Sequence, residues 1–355
     1  MKENCLIFAL TSLMFFSCKN DSNILVNVHE LDFLNKTGGV IEGKKVMSVL
    51  GAKGLVVYDT LIMVTTNNPE GQLQVYRCGD LKYLGSFCKQ GRARNELLKA
   101  STVTEQAYYK DNHLIQIVYD VPTTMCEVDV TASIQSGHTV VISSRECLST
   151  RGNEIMLLGD DYNNRLEFEL NKYGVEEITG VPSRYTLYKN GKKKNLRFFK
   201  KIMKVEDEEQ RELPYQGSLY KHPLKNLIVQ SFANMDYLLY MNFEADSCFA
   251  VHQKGSLTFT DRYVDEMPMP LHFSDGATSN NYIMFLYRQG YYTQKTTAGE
   301  WFPEVLIFDW NGNYISGFKT DRFIHYIEYD EINHALYGIN NDDEIYVYDL
   351  STILS

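Results

Sequence analysis

Along most of the chain the apolar residues come in short runs separated by clusters of turn-forming residues. Leu55–Thr66 (LVVYDTLIMVTT), Gln72–Arg77 (QLQVYR) and Tyr83–Phe87 (YLGSF) follow one another, with a turn near Gly79-Asp80. Near the carboxyl end, Val305–Asp309 (VLIFD) passes through Trp310-Asn311-Gly312-Asn313 into Tyr314–Phe318 (YISGF). Asn-Gly at a turn centre tolerates positive φ at both positions, which makes it a strong hairpin signal. Ile327–Tyr329, Ala335–Ile339 and Ile345–Asp349 repeat the first three strands of the same unit. Helical periodicity is nearly absent, so the pattern predicts an all-β chain.

The turn after a third strand recurs near Gly79, Asp129, Asn171-Lys172-Tyr173-Gly174, Glu244-Ala245-Asp246, Asn311 and Asp349. A spacing of roughly 40 to 70 residues matches four-stranded propeller blades with insertions. The reading is a six-bladed β-propeller. Two stacked β-sandwiches are the alternative, but they rarely show this strand-turn-strand recurrence. The last unit stops after its third strand, and a ring must hide its sheet edges. An amino-terminal strand, from Ile24–Val28 or Val40–Val49, is therefore expected to close it.

Composition agrees with sheet. Tyr (25) and Phe (18) are frequent and Pro (8) is scarce, as suits strands that need their N–H groups. At 355 residues with 44% hydrophobic content the chain can bury a large core without staples. A net charge of −10 argues against nucleic acid as a general partner.

Lys2 precedes an apolar run from Cys5 to Phe16, broken by Thr11 and Ser12, and then come Ser17, Cys18 and a polar stretch from Lys19 to Asn23. The run is too short to span a bilayer and fits the core of a signal peptide. A small residue directly before a Cys resembles the lipobox of bacterial lipoproteins, although Phe15 stands where that motif prefers Leu. The resemblance implies cleavage before Cys18 and a diacylglycerol on its thiol. The expected organisation is a signal peptide over 1–17, a lipidated tether and possible closing strand over 18–39, and a propeller over 40–355. Cys78, Cys88, Cys126, Cys147 and Cys248 then remain, an odd number that leaves at least one free thiol. If Gly79–Lys82 is a turn, Cys78 faces about position 83 and Cys88 about position 73, so a bridge between them is disfavoured. No pair has CxxC spacing, and no metal site or cofactor is expected.

Leu84-Gly85-Ser86-Phe87 followed by Lys89-Gln90-Gly91-Arg92-Ala93-Arg94-Asn95-Glu96-Leu97 resembles the first-blade signature of the TolB-like six-bladed propeller lipoproteins of Bacteroidetes. Phe87, Lys89, Gly91 and Glu96 keep that pattern, while Ala93-Arg94 replaces its Gly-Pro. The likeness covers about residues 50–100 and implies fold and envelope location far more than activity.

In a propeller, the crossover from an outer strand to the next inner strand and the loop between second and third strands open on one face, the usual binding surface. The first crossover, Gln90–Glu96, brings Arg92, Arg94 and Glu96 there. The long loop Arg288–Glu304 brings Arg288, Tyr291, Tyr292, Lys295, Trp301 and Phe302, whose aromatic faces suit a sugar or a peptide side chain. The plainer alternative is that Arg94 and Glu96 fix the crossover while Trp301 and Phe302 pack under their own loop. Lys189–Lys204 holds eight basic residues. It reads as a solvated hairpin turning at Asn190-Gly191, offset by the acidic run Glu206–Glu209, in preference to a contact for anionic headgroups or acidic polysaccharide. The acidic clusters at Asp160–Asn164 and Asn340–Glu344 read as turns. G-x-S-x-G, H-E-x-x-H and P-loop motifs are missing. Ser274–Thr278 resembles the Asp-box of sialidases but lacks its following aromatic, with Ser279 there instead.

These features lead to a monomeric, non-enzymatic binding or scaffolding module for an envelope protein or glycan, anchored to the outer membrane through its lipid on the periplasmic or surface face. The alternative is a carbohydrate-active hydrolase or lyase with carboxylates at the channel mouth.

Overall fold

The computed structural model describes residues 25–120, 124–147, 154–158, 162–169, 184–200, 215–243, 247–256, 270–291 and 302–354. The described residues begin with three short strands, β1 (Val28–Leu31), β2 (Val40–Ile41) and β3 (Lys44–Ser48). Blade one is β4 (Ala52–Tyr58), β5 (Leu61–Thr66), β6 (Leu73–Arg77) and β7 (Tyr83–Phe87). Blade two is β8 (Ala100–Lys110), β9 (His113–Asp120), β10 (Thr124–Asp129) and β11 (Val141–Glu146). Blade three is β12 (Glu154–Leu157), β13 (Arg165–Phe168), β14 (Tyr185–Lys189) and β15 (Lys192–Leu196). Blade four is β16 (Gly217–Lys221), β17 (Leu227–Phe232), β18 (Tyr237–Asn242) and β19 (Ser247–Gln253). Blade five is β20 (Pro270–Thr278), β21 (Tyr282–Tyr291), β22 (Glu304–Asp309) and β23 (Tyr314–Thr320). Blade six is β24 (Tyr326–Asp330), β25 (Ala335–Ile339) and β26 (Glu344–Asp349), completed by β3. The chain is thus a six-bladed β-propeller of four-stranded antiparallel blades.

The second and third strands of the blades are the most buried, as with Leu61–Thr66 and Tyr237–Asn242. Their near-continuous apolar runs follow from being covered on both faces by neighbouring blades. Turn chemistry supplies the reversals. Asp111 and Asn112 (φ 50° and 63°) close one hairpin, and Asn190 and Gly191 (φ 51° and 73°) another. The turns near Gly79, Asn311 and Asp349 lie where the sequence places them. In blade three the hairpin between third and fourth strands turns at Asn190-Gly191 instead, and Asn171–Gly174 lies outside the described residues, as does Glu244–Asp246. After Asp129 the chain makes a short helix, α1 (Val130–Ser136), which its sequence does not announce. The Asp129 carboxylate caps it by accepting the Ala132 N–H at 2.7 Å, and Gly137 ends it at φ 74°.

The core is divided among the gaps between blades. One apolar cluster fills each of the six gaps. The gap between blades three and four is rich in aromatic residues, with Tyr185 packed on Phe168 and Phe198 at centroid distances of 5.1 and 5.0 Å.

The amino-terminal stretch runs round the rim. β1 adds as a parallel fifth strand to β19, with Val28 opposite Ala250. β2 adds likewise to β23, and β3 then pairs antiparallel with β26, with Met47 opposite Ile345. Val40–Val49 therefore contains the closing strand, whereas Val28–Leu31 guards the edge of blade four. Between β1 and β2, Phe33 inserts into the gap between blades four and five, 1% exposed, against Tyr287 and Phe308. Gln253 Oε1 holds that turn by accepting the N–H groups of Phe33 and Leu34 at 3.0 and 3.1 Å.

Candidate functional site

Strand alternation puts the first-to-second hairpins of the blades, and the third-to-fourth hairpins of blades one to five, at one end of the ring. The second-to-third loops and the crossovers lie at the other, here termed the top. The crossover from β7 to β8 is described throughout and carries three of the sequence candidates. It is tied down by backbone bonds. The Gln90 N–H donates to Pro69 O at 2.8 Å, Leu97 N–H to Lys89 O at 3.0 Å, and Glu96 N–H to Ala93 O at 3.0 Å. Asn95 reverses the chain at φ 67°, a conformation that Asn tolerates.

Glu96 points inward. Its Oε2 accepts the Ala93 N–H at 2.9 Å, and a Cβ on Gly91 would lie 1.9 Å from that oxygen. Arg92 and Arg94 stay exposed. The clamp beneath the loop is Gln72, buried at 4% exposure, which the sequence reading did not single out. Its Nε2 donates to Cys88 O at 3.2 Å and Leu97 O at 2.9 Å, while its Oε1 accepts the Ala100 N–H at 2.9 Å. One side chain thus fixes both ends of the crossover.

Beside the loop lies an open groove of about 530 Å³. Arg94 and Glu96 form one wall; Asp120 and Thr124 from blade two, with Ile142 and Ser144 on its outer strand, form the other. Ile142 is 43% exposed. The groove combines a cation, carboxyls and hydroxyls with the apolar side chains of Leu97, Val141 and Ile142, a mixture suited to a chain segment with both polar and apolar groups.

Arg288 is half-buried at the top of β21. Its guanidinium lies over the Phe323 ring, 4.5 Å from the centroid, and reaches Ile324 O at 3.5 Å. It thus packs against the crossover from blade five to blade six. The His325 imidazole there is held below its usual pKa by burial and by the charge of Arg288. Phe302 is 40% exposed. The side chain of Tyr291, and Tyr292, Lys295 and Trp301 entirely, lie outside the described residues. The structure therefore brings Arg92, Arg94 and Glu96 together on the first crossover and places Arg288 apart from them, against the crossover from blade five to blade six.

The inner strands carry two carboxyls whose pKa is raised strongly. Glu154 Oε2 accepts the Leu219 N–H at 2.7 Å, and burial pushes its pKa up to about 7. Asp275 Oδ2 accepts the Ile327 N–H at 2.7 Å and is also pushed up to about 7 by burial. Each caps the open edge of the next blade's inner strand. The Asp-box-like segment therefore places Asp275 in a structural bond. Gln106 does related work between blades two and three, its Nε2 donating to Ile155 O at 2.8 Å.

On the opposite face a cavity of about 220 Å³ lies between blades four and five, lined by Tyr240, Phe249 and Trp310. Among the described residues no cluster of three or more His, Cys, Asp or Glu side chains could hold a metal ion. Cys78, Cys88, Cys126, Cys147 and Cys248 are all free thiols.

No family model matches the chain, and no curated protein matches it in sequence. In three dimensions it is similar to a Bacteroides fragilis protein whose description calls it exported, at 9% identity and a TM-score of 0.50 over 91% of this chain and 98% of that one. It also aligns with the WD40 domain of Neurospora crassa Pan2, at 12% identity and a TM-score of 0.44 over 84% of this chain and 88% of that one. Likeness at such identities concerns the fold alone.

Proposed function

We propose that this chain is an exported lipoprotein, resembling the TolB-like envelope propellers, whose ring acts as a non-enzymatic holder for a protein or glycan partner at its top face. The groove beside the Gln90–Glu96 crossover carries this reading. It is preshaped by Gln72 and Glu96 while Arg92 and Arg94 remain free to face a ligand. The two inner-strand carboxyls with raised pKa are committed to bonds between blades, which favours holding over hydrolysis. In this reading residues 1–17 are removed, Cys18 carries the lipid, and the stretch up to Leu25 is the tether. The outer membrane is the site of anchorage, and the ring works as a monomer. Tyr291, Tyr292, Trp301 and Arg288 belong to a second contact at the same face.

Two experiments test the two halves. Cys18→Ala moves the protein from the membrane fraction to the soluble one; unchanged partitioning removes the anchor. A photo-crosslinking amino acid in place of Arg94 traps a partner in intact cells, and one in place of Leu224, 81% exposed on the opposite face, does not. Equal adducts from both positions, or none from position 94, reject the top face as the holding surface.

A further inference from the structure

β15, Lys192–Leu196, is the outer strand of blade three, and among the described residues no further strand covers it. Lys192, Lys193, Lys194, Arg197 and Lys200 are exposed along this rim, and Lys189 is exposed across the turn. Lys189 and Lys192 sit directly opposite each other in the hairpin register. A like-charge pair so placed is destabilising unless something offsets it. Lys189, Lys192, Lys193 and Arg197 make no ion pair among the described residues; Lys193 merely approaches the Tyr188 ring at 5.8 Å. A single lysine suffices to guard a sheet edge against pairing. Here cations project from both faces of the edge, as a contact made edge-on requires.

The second observation is where the amino-terminal chain meets the ring. Leu25 bridges Phe199, and the Val26 N–H donates to Phe198 O at 3.0 Å, directly beyond the basic strand. The chain from Cys18 to Leu25 spans at most about 25 Å. A lipid on Cys18 would therefore hold the ring to the bilayer by the side where blades three and four meet, the basic rim included.

We infer that the rim of blade three docks edge-on to an anionic phospholipid surface through Lys189, Lys192, Lys193 and Arg197. This orientation rests on the lipid anchor proposed above; the affinity of the strip does not. Docked so, the ring's axis lies along the membrane and the groove beside Arg94 stays open.

The test uses the chain from Lys19 onward, which keeps the whole described ring and cannot be acylated. It is sedimented with vesicles of equal parts phosphatidylglycerol and phosphatidylcholine, and with phosphatidylcholine alone. The chain binds the anionic vesicles only, and high salt releases it. Replacing Lys189, Lys192, Lys193 and Arg197 with Glu weakens binding about tenfold or more. Lys192→Gln with Lys193→Gln, a milder pair, weakens it measurably with an unchanged melting temperature. Equal binding by parent and both variants overturns the inference. So does a parent that ignores anionic vesicles, including one retained instead by polygalacturonate. Membrane release of Cys18→Ala is scored separately, so the anchor can fail while the strip binds, and the reverse.

Discussion

Asp275 Oδ2 accepts the backbone N–H of Ile327 at 2.7 Å, joining the inner strands of blades five and six across the blade boundary. Glu154 repeats the arrangement with Leu219 between blades three and four. An inner strand has a partner on one side only, so its other edge leaves N–H groups that need an acceptor. A carboxyl from the preceding blade supplies one. The same burial that makes the bond strong disfavours the charged form, which is why both groups hold their protons up to about pH 7.

This gives stability a defined pH dependence. A carboxyl whose folded pKa is raised binds more protons folded than unfolded, so stability is full below the unfolded pKa and is lost as pH rises through the folded one. Thermal melts should therefore fall between about pH 4 and pH 8, by on the order of 1–3 kcal/mol for each group. Glu154→Gln and Asp275→Asn keep an acceptor and remove the charge, and each should flatten part of that slope. Unchanged slopes in both variants would remove the burial argument.

Phe33→Ala should be the most damaging single change in the rim segment. The ring is wedged between blades four and five with almost no exposure, and emptying such a site costs about 3–5 kcal/mol. Chemical denaturation measures it. A loss under about 1 kcal/mol would mean that the segment is laid on the ring without being packed into it.

At the crossover, Gln72→Ala and Gly91→Ala should separate stability from recognition. Losing Gln72 leaves the Ala100 N–H without its acceptor and takes one of two donors from each of Cys88 O and Leu97 O, at about 2 kcal/mol. A methyl on Gly91 displaces only the flexible end of Glu96, so its cost should stay near 1 kcal/mol while adducts at position 94 drop. Adducts that survive Gly91→Ala would separate the loop's shape from binding.

The thiols of Cys88 and Cys126 are pushed up to about 12 and about 11 by burial, and thiolate is the reactive form. Iodoacetamide at neutral pH should leave both intact in the folded chain and label both after denaturation, read by mass spectrometry. Rapid labelling of Cys88 in the folded state would show that the first crossover opens.

Much of the ring was legible because its signals are local. Turn residues at Gly79-Asp80 and Asn311-Gly312, with apolar runs between them, mark hairpins whose partners are adjacent in sequence. Ring closure was legible as a missing strand, and Lys44–Ser48 fills it. β1 and β2 were not legible as extra strands. They are short, and their parallel partners lie more than two hundred residues away, with no local turn to reveal them. α1 is too short to display helical periodicity, so only Asp129 and Gly137 mark its ends. Glu96 was legible as a ligand contact, with bracing of the crossover as the plainer alternative, and its carboxylate accepts the Ala93 N–H within that loop. Gln72 and Asp275 were not legible, because a strand pattern cannot tell a glutamine or aspartate in solvent from one spent across a blade boundary. The basic stretch was legible as charge alone; its place on an uncovered edge beside Leu25 comes from topology.

The amino-terminal strand completes blade six, and that closure fixes β4 as the inner strand of blade one and so which loops share the top face. Residue-resolved hydrogen exchange on the intact chain tests it directly. The amides of Lys44–Ser48 that face β26 should be protected to the same degree as their partners in Glu344–Val347 and should open with them. Exchange at Lys44–Ser48 as fast as in an unstructured peptide, with Glu344–Val347 still protected, would contradict it.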